Sequence, residues 1–320
     1  MSSNNNNNNT WDSANPKDGL VTSTNGVQLH LVSNGAPRQA NQPVVILEGG
    51  LGASGANWAA VSRLLDPRIR NYRYDRAGYG NSPVSTQPRT AETMARELRD
   101  VLDAAGIAPP YILVAHSYGA IIARELLALA GAEAVAGMVL IDANQEATHT
   151  KLQVPFATIE SLKAGRDYFD IIGLKANNSY TPEELGRIAI DASVATTATT
   201  AGQEHTLLLD SSATLGAKRQ LEASPLGTKP VTVIRGDTGR DFRMLVAASG
   251  TPEKSKEVEE MNEFLAKRFD VFDCELQKEQ LRLSGNSRFV QATNSGHVVG
   301  ATEPQLIADE ILSVWKQSLV

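Results

Sequence analysis

Residues 112–122 read Ile-Leu-Val-Ala-His-Ser-Tyr-Gly-Ala-Ile-Ile. The apolar run breaks at His116-Ser117-Tyr118-Gly119, and apolar residues then resume at helical spacing. That pattern suits a strand turning sharply into a helix. A serine at such a turn has its Oγ exposed, and the start of the helix brings free N–H groups and partial positive charge to any oxyanion formed beside it. The turn requires small residues two before and two after the serine. Gly119 supplies one, and Ala115 supplies the other with one extra methyl. The plainer alternative is a buried strand followed by a helix that Ser117 merely caps.

A serine needs a base, and the base needs an acid, both contributed from elsewhere in the chain. Of the five histidines, His30 lies in an N-terminal hairpin and His116 adjoins the serine. His149 and His205 fall in a long helical interval, while His297 follows the last strand-like run, in Asn294-Ser-Gly-His-Val. His297 is therefore the candidate base. The acid must sit at a strand end between Ser117 and His297. The candidates are Asp142 in Val139-Leu-Ile-Asp-Ala-Asn, and Asp237 or Asp241 in Ile234-Arg-Gly-Asp-Thr-Gly-Arg-Asp-Phe.

A glycine loop, Leu47-Glu48-Gly49-Gly50-Leu51-Gly52, ends the run Val44–Leu47. Such a loop can bring a backbone N–H, that of Gly50, to the reacting carbonyl together with the N–H of Tyr118. The same loop contains Gly50-x-Gly52-x-x-Gly55 with Asp75 about 20 residues further on, a dinucleotide-binding pattern. That reading leaves Ser117 and His297 without a role.

These residues must be positioned by a scaffold. Short runs buried on both faces alternate with helical patterns: Val44–Leu47, Tyr72–Tyr74, Tyr111–Val114, Met138–Ile141, Val231–Ile234 and Arg288–Gln291. The alternation predicts an α/β fold with a parallel sheet and crossover helices. Helices are expected over Asn57–Leu65, Thr90–Ala105, Ser117–Leu129 and Pro304–Lys316. Ahead of them, the strand-like runs Leu20–Thr24 and Val27–Val32 flank Asn25-Gly26, a hairpin signal. Between Asp142 and Pro230 the text is helical and loop-like, too long for a simple crossover. It reads as a helical cap inserted between two strands. The stretch from Pro252 to about Leu283, rich in Glu and Lys, is expected to be a solvated outer helix.

Taken in order, LEGGLGASGANW, YDRAGYGNS, LVAHSYGAIIARELL, MVLIDANQE and NSGHVVG resemble the α/β-hydrolase superfamily of serine-hydrolase type, over roughly Gly19 to the C-terminus. The resemblance implies a mostly parallel eight-stranded sheet flanked by helices, with residues 17–143 and 230–320 as the core. A helical cap, 144–229, would be inserted after strand six. It also implies that Ser117 is the nucleophile, His297 the base, and the Gly50 and Tyr118 N–H groups the oxyanion hole. His116 and Leu51 would line the substrate pocket, and Asp75 would belong to the turn after strand four. Family members commonly carry His-Gly where this chain has Glu48-Gly49. Their acid usually follows strand seven in a Gly-x-x-Asp pattern, but the third position after Gly236 is Gly239. A minority place it after strand six in an Asp-Pro-Ala context, which Asp142-Ala143 resembles. Asp142 is accordingly preferred, with Asp237 the alternative. The activity implied is hydrolysis of an ester, thioester or lactone of a small organic substrate. A lyase, a cyclase or a small-molecule receptor on the same fold is the competing expectation, since a fold does not fix a function.

Composition narrows the rest. The 320 residues carry a net charge of -6 and are 42% hydrophobic, which supports a sizeable core and gives no basic footprint for nucleic acid or anionic membranes. No apolar run reaches the roughly 20 residues of a membrane helix. The opening MSSNNNNNNTWDSANPKDG lacks the features of a secretory signal, so a cytoplasmic protein is expected, with residues 1–16 a disordered Asn-rich tail. Cys274 is the only cysteine, which excludes an intramolecular disulfide, and its acidic neighbours argue for an inert thiol. The expected partner is a small-molecule substrate, with no metal or organic cofactor, in a monomer or weak homodimer.

Overall fold

A computed structural model describes residues 10–12, 15–250, 252 and 255–319. Among them are eight strands: β1 (Lys17–Thr22), β2 (Gln28–Asn34), β3 (Val44–Glu48), β4 (Asn71–Asp75), β5 (Tyr111–His116), β6 (Val135–Ile141), β7 (Val231–Arg235) and β8 (Ser287–Gln291). They form one sheet in the order β1-β2-β4-β3-β5-β6-β7-β8. β2 pairs antiparallel with β1 and β4, while β4 through β8 are joined by parallel pairs.

The strands alternate sides with period two, so one residue in two feeds each face. Val44 and Ile46 of β3, with Leu113 and Ala115 of β5, join a core with the helices Ala91–Ala104 and Gly119–Ala130. Val45, Leu47, Ile112 and Val114 join the opposite core with the helices Ala59–Leu64 and Pro304–Gln317. At roughly 1.5–3 kcal/mol for each fully buried aliphatic side chain, these two layers supply most of the drive that holds the strand ends in place. Helix starts follow local chemistry: Thr90 caps Ala91–Ala104 by accepting from Thr93 N, and Pro304 opens the last helix where its missing N–H costs nothing.

Between β6 and β7, among the described residues, lie seven helices: Thr148–Leu152, Phe156–Lys163, Tyr168–Ile171, Pro182–Ser193, Ala195–Thr206, Leu208–Ala217 and Gln220–Ala223. No helix among the described residues is long and apolar enough to cross a membrane.

Two expectations need correction. The segment after Pro252 is helical over Lys256–Phe264 and Asp270–Glu279, joined by a π-helical turn, but it is not simply a solvated outer helix. Val258, Met261, Phe264, Leu265, Phe269 and Leu276 form a third apolar core with Leu152, Ile159, Leu162, Phe242 and Leu245. The Glu and Lys residues decorate its outer face and mask that pattern. The expected N-terminal tail falls largely outside the described residues, yet Thr10–Asp12 form a 3-10 turn with Trp11 buried. The Trp11 carbonyl accepts from Arg70 Nη2 and Tyr72 Oη. One large aromatic ring thus anchors a segment whose composition alone reads as unstructured.

Candidate active site

β5 and β6 end together: His116 pairs with Ile141 in their register. Ser117 and Asp142 each stand one residue beyond, at the carboxyl edge of adjacent strands. Both leave the strand with left-handed backbone, φ +54° for Ser117 and +40° for Asp142. Each such conformation costs about 1–3 kcal/mol and persists only where neighbours enforce it. Here Ser117 N donates to the Ile141 carbonyl (3.1 Å), Asn144 N donates to the Ser117 carbonyl (3.0 Å), and Asp142 N donates to the Ile234 carbonyl (2.7 Å).

The turn after Ser117 is tight. A Cβ placed on Gly119 would lie 2.4 Å from the Gly49 carbonyl oxygen, so no larger residue fits. Ala115, in contrast, points into the core shared with the helices Ala91–Ala104 and Gly119–Ala130, fully buried, and its methyl is absorbed there. The two small-residue positions of the motif are thus unequal: Gly119 is a steric requirement and Ala115 is not.

His297 comes from the loop after β8 and reaches across β7. Its Nε2 lies 3.0 Å from Ser117 Oγ and its Nδ1 lies 2.6 Å from Asp142 Oδ2. The carboxylate is held in turn: Gly236 N donates to Oδ1 (3.0 Å) and Thr238 Oγ1 donates to Oδ2 (2.6 Å). Asp237 is exposed and caps the next helix by accepting from Arg240 N at 3.1 Å. Asp241 is buried and accepts from the backbone N of His297 at 2.9 Å, fixing the loop rather than the imidazole. Of the three acids considered, the imidazole meets Asp142.

Burial opposes protonation of His297, but the hydrogen bond and charge of Asp142, joined by Asp241 and Asp273, outweigh it and hold its pKa above 6.5. Burial likewise opposes ionisation of Asp142, and the bonds from His297 and Thr238 reverse this, leaving it below the ordinary carboxylate value. Asp273, buried near that charge, is pushed up to about 6, first by burial and then by Asp142.

Gly50 sits directly against the serine. A Cβ there would lie 3.2 Å from Ser117 Cβ and 3.0 Å from His116 Nδ1, so any side chain would press on the serine and the histidine. Among the described residues, neither the Gly50 nor the Tyr118 backbone N–H has an acceptor in the chain. Unpaired donors flanking a serine are what an oxyanion site requires.

The two residues expected to line a pocket have other contacts. The His116 ring lies 4.7 Å from that of His297, and its Nε2 is 2.9 Å from the His297 carbonyl. Burial, then the charge on His297, lowers the His116 pKa to about 4, so it is neutral and donates that hydrogen bond. Leu51 packs against the core shared with the helices Ala91–Ala104 and Gly119–Ala130. A cavity of about 390 Å³ opens beside the His297 loop, lined by Ile172, Leu174, Asn177, Met244 and Val298 among others.

Glu48, the departure from the common His, does not enter the site as a second acid. It is buried, accepts from Tyr74 Oη and pairs with Arg76 at 2.8 Å; burial pushes it up to about 6. Asp75 accepts from Gly55 N (2.8 Å) and Asn81 N (2.9 Å), closing the turn after β4 and the glycine loop. That occupation accounts for the spacing that imitates a dinucleotide site. One contact had no sequence signal: Asn144 Oδ1 lies 3.2 Å from Ser117 Oγ, an alternative acceptor to His297 Nε2 for the single hydroxyl proton, and only the pairing of two strand ends brings it there.

This fold matches solved structures and the sequence matches known proteins. The model of the alpha/beta hydrolase family fits residues 44–310. The chain is 39% identical to an AB hydrolase superfamily protein of Gibberella zeae over 96% of its own length and 98% of that protein's. In fold it is similar to a thermophilic esterase from Thermogutta terrifontis, with a TM-score of 0.58 at 19% identity, covering 96% of this chain and 100% of that one. It is also similar to the enol-lactonase from Burkholderia xenovorans, with a TM-score of 0.57 at 17% identity, covering 93% and 99%. At such identities the two structures speak for the fold alone. The chain belongs to the alpha/beta hydrolase family.

Proposed function

We propose that the chain is a serine hydrolase that cleaves an ester, thioester or lactone of a small organic substrate through an acyl-enzyme. The observation that carries this reading is the unbroken line from Ser117 Oγ through both nitrogens of His297 to Asp142. Ser117 Oγ attacks the carbonyl carbon as its proton passes to His297 Nε2. Asp142 keeps the Nδ1–H in place and stabilises the imidazolium. The carbonyl electron pair moves onto oxygen, where the Gly50 and Tyr118 N–H groups receive it. As the tetrahedral species collapses, His297 gives the proton to the departing oxygen or sulfur. Water, deprotonated by the same nitrogen, then attacks the acyl carbon, and as the bond to Ser117 Oγ breaks His297 returns the proton to Oγ, releasing the acid and restoring the serine. In a lactone the leaving alcohol remains tethered to the acyl group, and the product is a single hydroxy acid. The helices at 144–229 act as a cap that shapes the pocket.

The family membership and the esterase and lactonase neighbours are consistent with this chemistry. A panel of p-nitrophenyl esters, thioesters and aliphatic lactones, assayed with the wild type and Ser117→Ala, tests it. Hydrolysis of at least one class that disappears in Ser117→Ala is expected. Labelling of Ser117 without turnover of any substrate class would favour a non-hydrolytic role instead.

A further inference from the structure

Arg76, in the turn after β4, has all five of its N–H donors engaged. Nε donates to Glu204 Oε1 (3.2 Å), and Nη1 donates to Glu48 Oε1 (2.8 Å) and the Gly49 carbonyl (2.6 Å). Nη2 donates to the Gly50 carbonyl (2.7 Å) and Glu204 Oε2 (3.0 Å). Its face lies over the Tyr79 ring, 4.8 Å to the centroid, and the Tyr79 hydroxyl accepts from Gly52 N at 3.1 Å. The Arg76, Glu48 and Glu204 side chains are 2%, 3% and 0% exposed, so water does not compete for any of these bonds. Glu204 belongs to the helix Ala195–Thr206 of the inserted segment, 128 residues away in sequence. That helix also touches the turn elsewhere: a Cβ on Gly78 would lie 2.1 Å from Thr200 Oγ1.

The geometry of the peptide bond gives this grip a direction. The Gly49 C=O and the Gly50 N–H belong to one planar, trans unit and point opposite ways. Holding the Gly49 carbonyl toward Arg76 therefore aims the Gly50 N–H away from it. Gly50 lies against Ser117, a Cβ on it falling 3.2 Å from the Ser117 Cβ, and glycines at 49 and 50 would otherwise leave the plane free to rotate. We propose that Arg76 is the positioning residue of the oxyanion loop, gripping the Gly49 and Gly50 carbonyls, and that its bond to Glu204 makes this setting depend on the seating of the helix Ala195–Thr206. This rests on the serine-hydrolase reading. The alternative is that Arg76 only neutralises two buried carboxylates, in which case its loss costs stability and leaves the chemistry of the folded molecules unchanged.

Reaction of Ser117 with a fluorophosphonate separates the two, because the phosphoryl oxygen enters the same oxyanion site. The labelled fraction at completion counts folded, competent molecules, and the second-order rate constant reports how well the donors are aimed. Arg76→Lys keeps the charge but cannot span two carbonyls and two carboxylates. Its rate constant is expected to fall at least about tenfold, the scale of a misplaced oxyanion donor. Glu204→Gln keeps the shape and loses the charge, and a smaller fall, of about threefold or more, is expected from a weakened charge-assisted bond. Rate constants within about twofold of the wild type in both variants, whatever their melting temperatures, would overturn the proposal. A fall in Arg76→Lys alone would remove the link to the inserted helix and keep the grip. If Arg76→Lys does not fold, Arg76→Gln is judged by the same threshold, and Glu204→Gln tests only the link to the inserted helix. Failure of the wild type to label at all would instead defeat the serine-hydrolase reading beneath it.

Discussion

Among the described residues, His297 and His30 each pair with aspartate, and only His297 is arranged for proton transfer. His297 has Asp142 on Nδ1 and the Ser117 hydroxyl on Nε2. His30 has Asp75 on Nδ1 (3.1 Å) and Asp18 on Nε2 (2.5 Å). In both, burial opposes the proton and carboxylates win, so both pKa values stand above 6.5. The difference lies in the second nitrogen. Facing a hydroxyl, it can accept a proton; facing a second carboxylate, it only donates, and the ring becomes a staple between β2, β1 and the end of β4. Nearby Ser82 accepts from His30 N and donates to the Asp75 carbonyl, so its hydroxyl is spent on backbone. A histidine beside an aspartate is therefore not enough to mark a base.

The sharpest break in this comparison is removal of the reacting groups. Ser117→Ala and His297→Ala should each lower ester turnover by on the order of 10⁴–10⁶-fold, since a triad fails as a unit. Steady-state kcat on an active ester measures this. Asp142→Asn follows, with an expected loss of about 10⁴-fold as the imidazole adopts the wrong tautomer. Asp237→Asn should stay within about twofold, as an exposed helix cap does. A collapse in Asp237→Asn with normal turnover in Asp142→Asn would reassign the acid.

The pH profile comes next. Because Asp142 raises the His297 pKa, kcat/KM should climb with pH through a midpoint above 6.5, the neutral ring being the competent base. Smallest is the effect at the staple. His30→Gln should leave turnover per labelled site unchanged and cost about 1–3 kcal/mol of stability by denaturant unfolding at low pH. His30 has a raised folded pKa, so its contribution is full below pH 6.5 and declines as pH rises through the folded value. The gap between wild type and His30→Gln should narrow accordingly.

The sheet was legible because period-two burial on both faces leaves uninterrupted aliphatic runs, as in Val44–Leu47 and Tyr111–Val114. Ser117 could be singled out because it directly follows such a run; His297 follows β8, an edge strand that, contrary to the expectation for Arg288–Gln291, is only partly buried. The acid was a choice between neighbours, since β6 and β7 both end in Asp-bearing turns. Only the register that sets Ser117 beside Asp142 distinguishes them. Glu48 read as an intruder in the oxyanion loop because its partners, Tyr74 and Arg76, lie 26 and 28 residues away. Glu204 and Asn144 carried no local pattern at all. What escaped is what tertiary pairing of distant polar groups decides.

The most direct test of the Ser117–His297–Asp142 account is the site and stoichiometry of fluorophosphonate modification, read by intact mass and peptide sequencing. One adduct per folded chain on Ser117, absent after urea denaturation and lost in His297→Ala, is the result the geometry requires. Modification elsewhere, or none in the folded wild type, would contradict it.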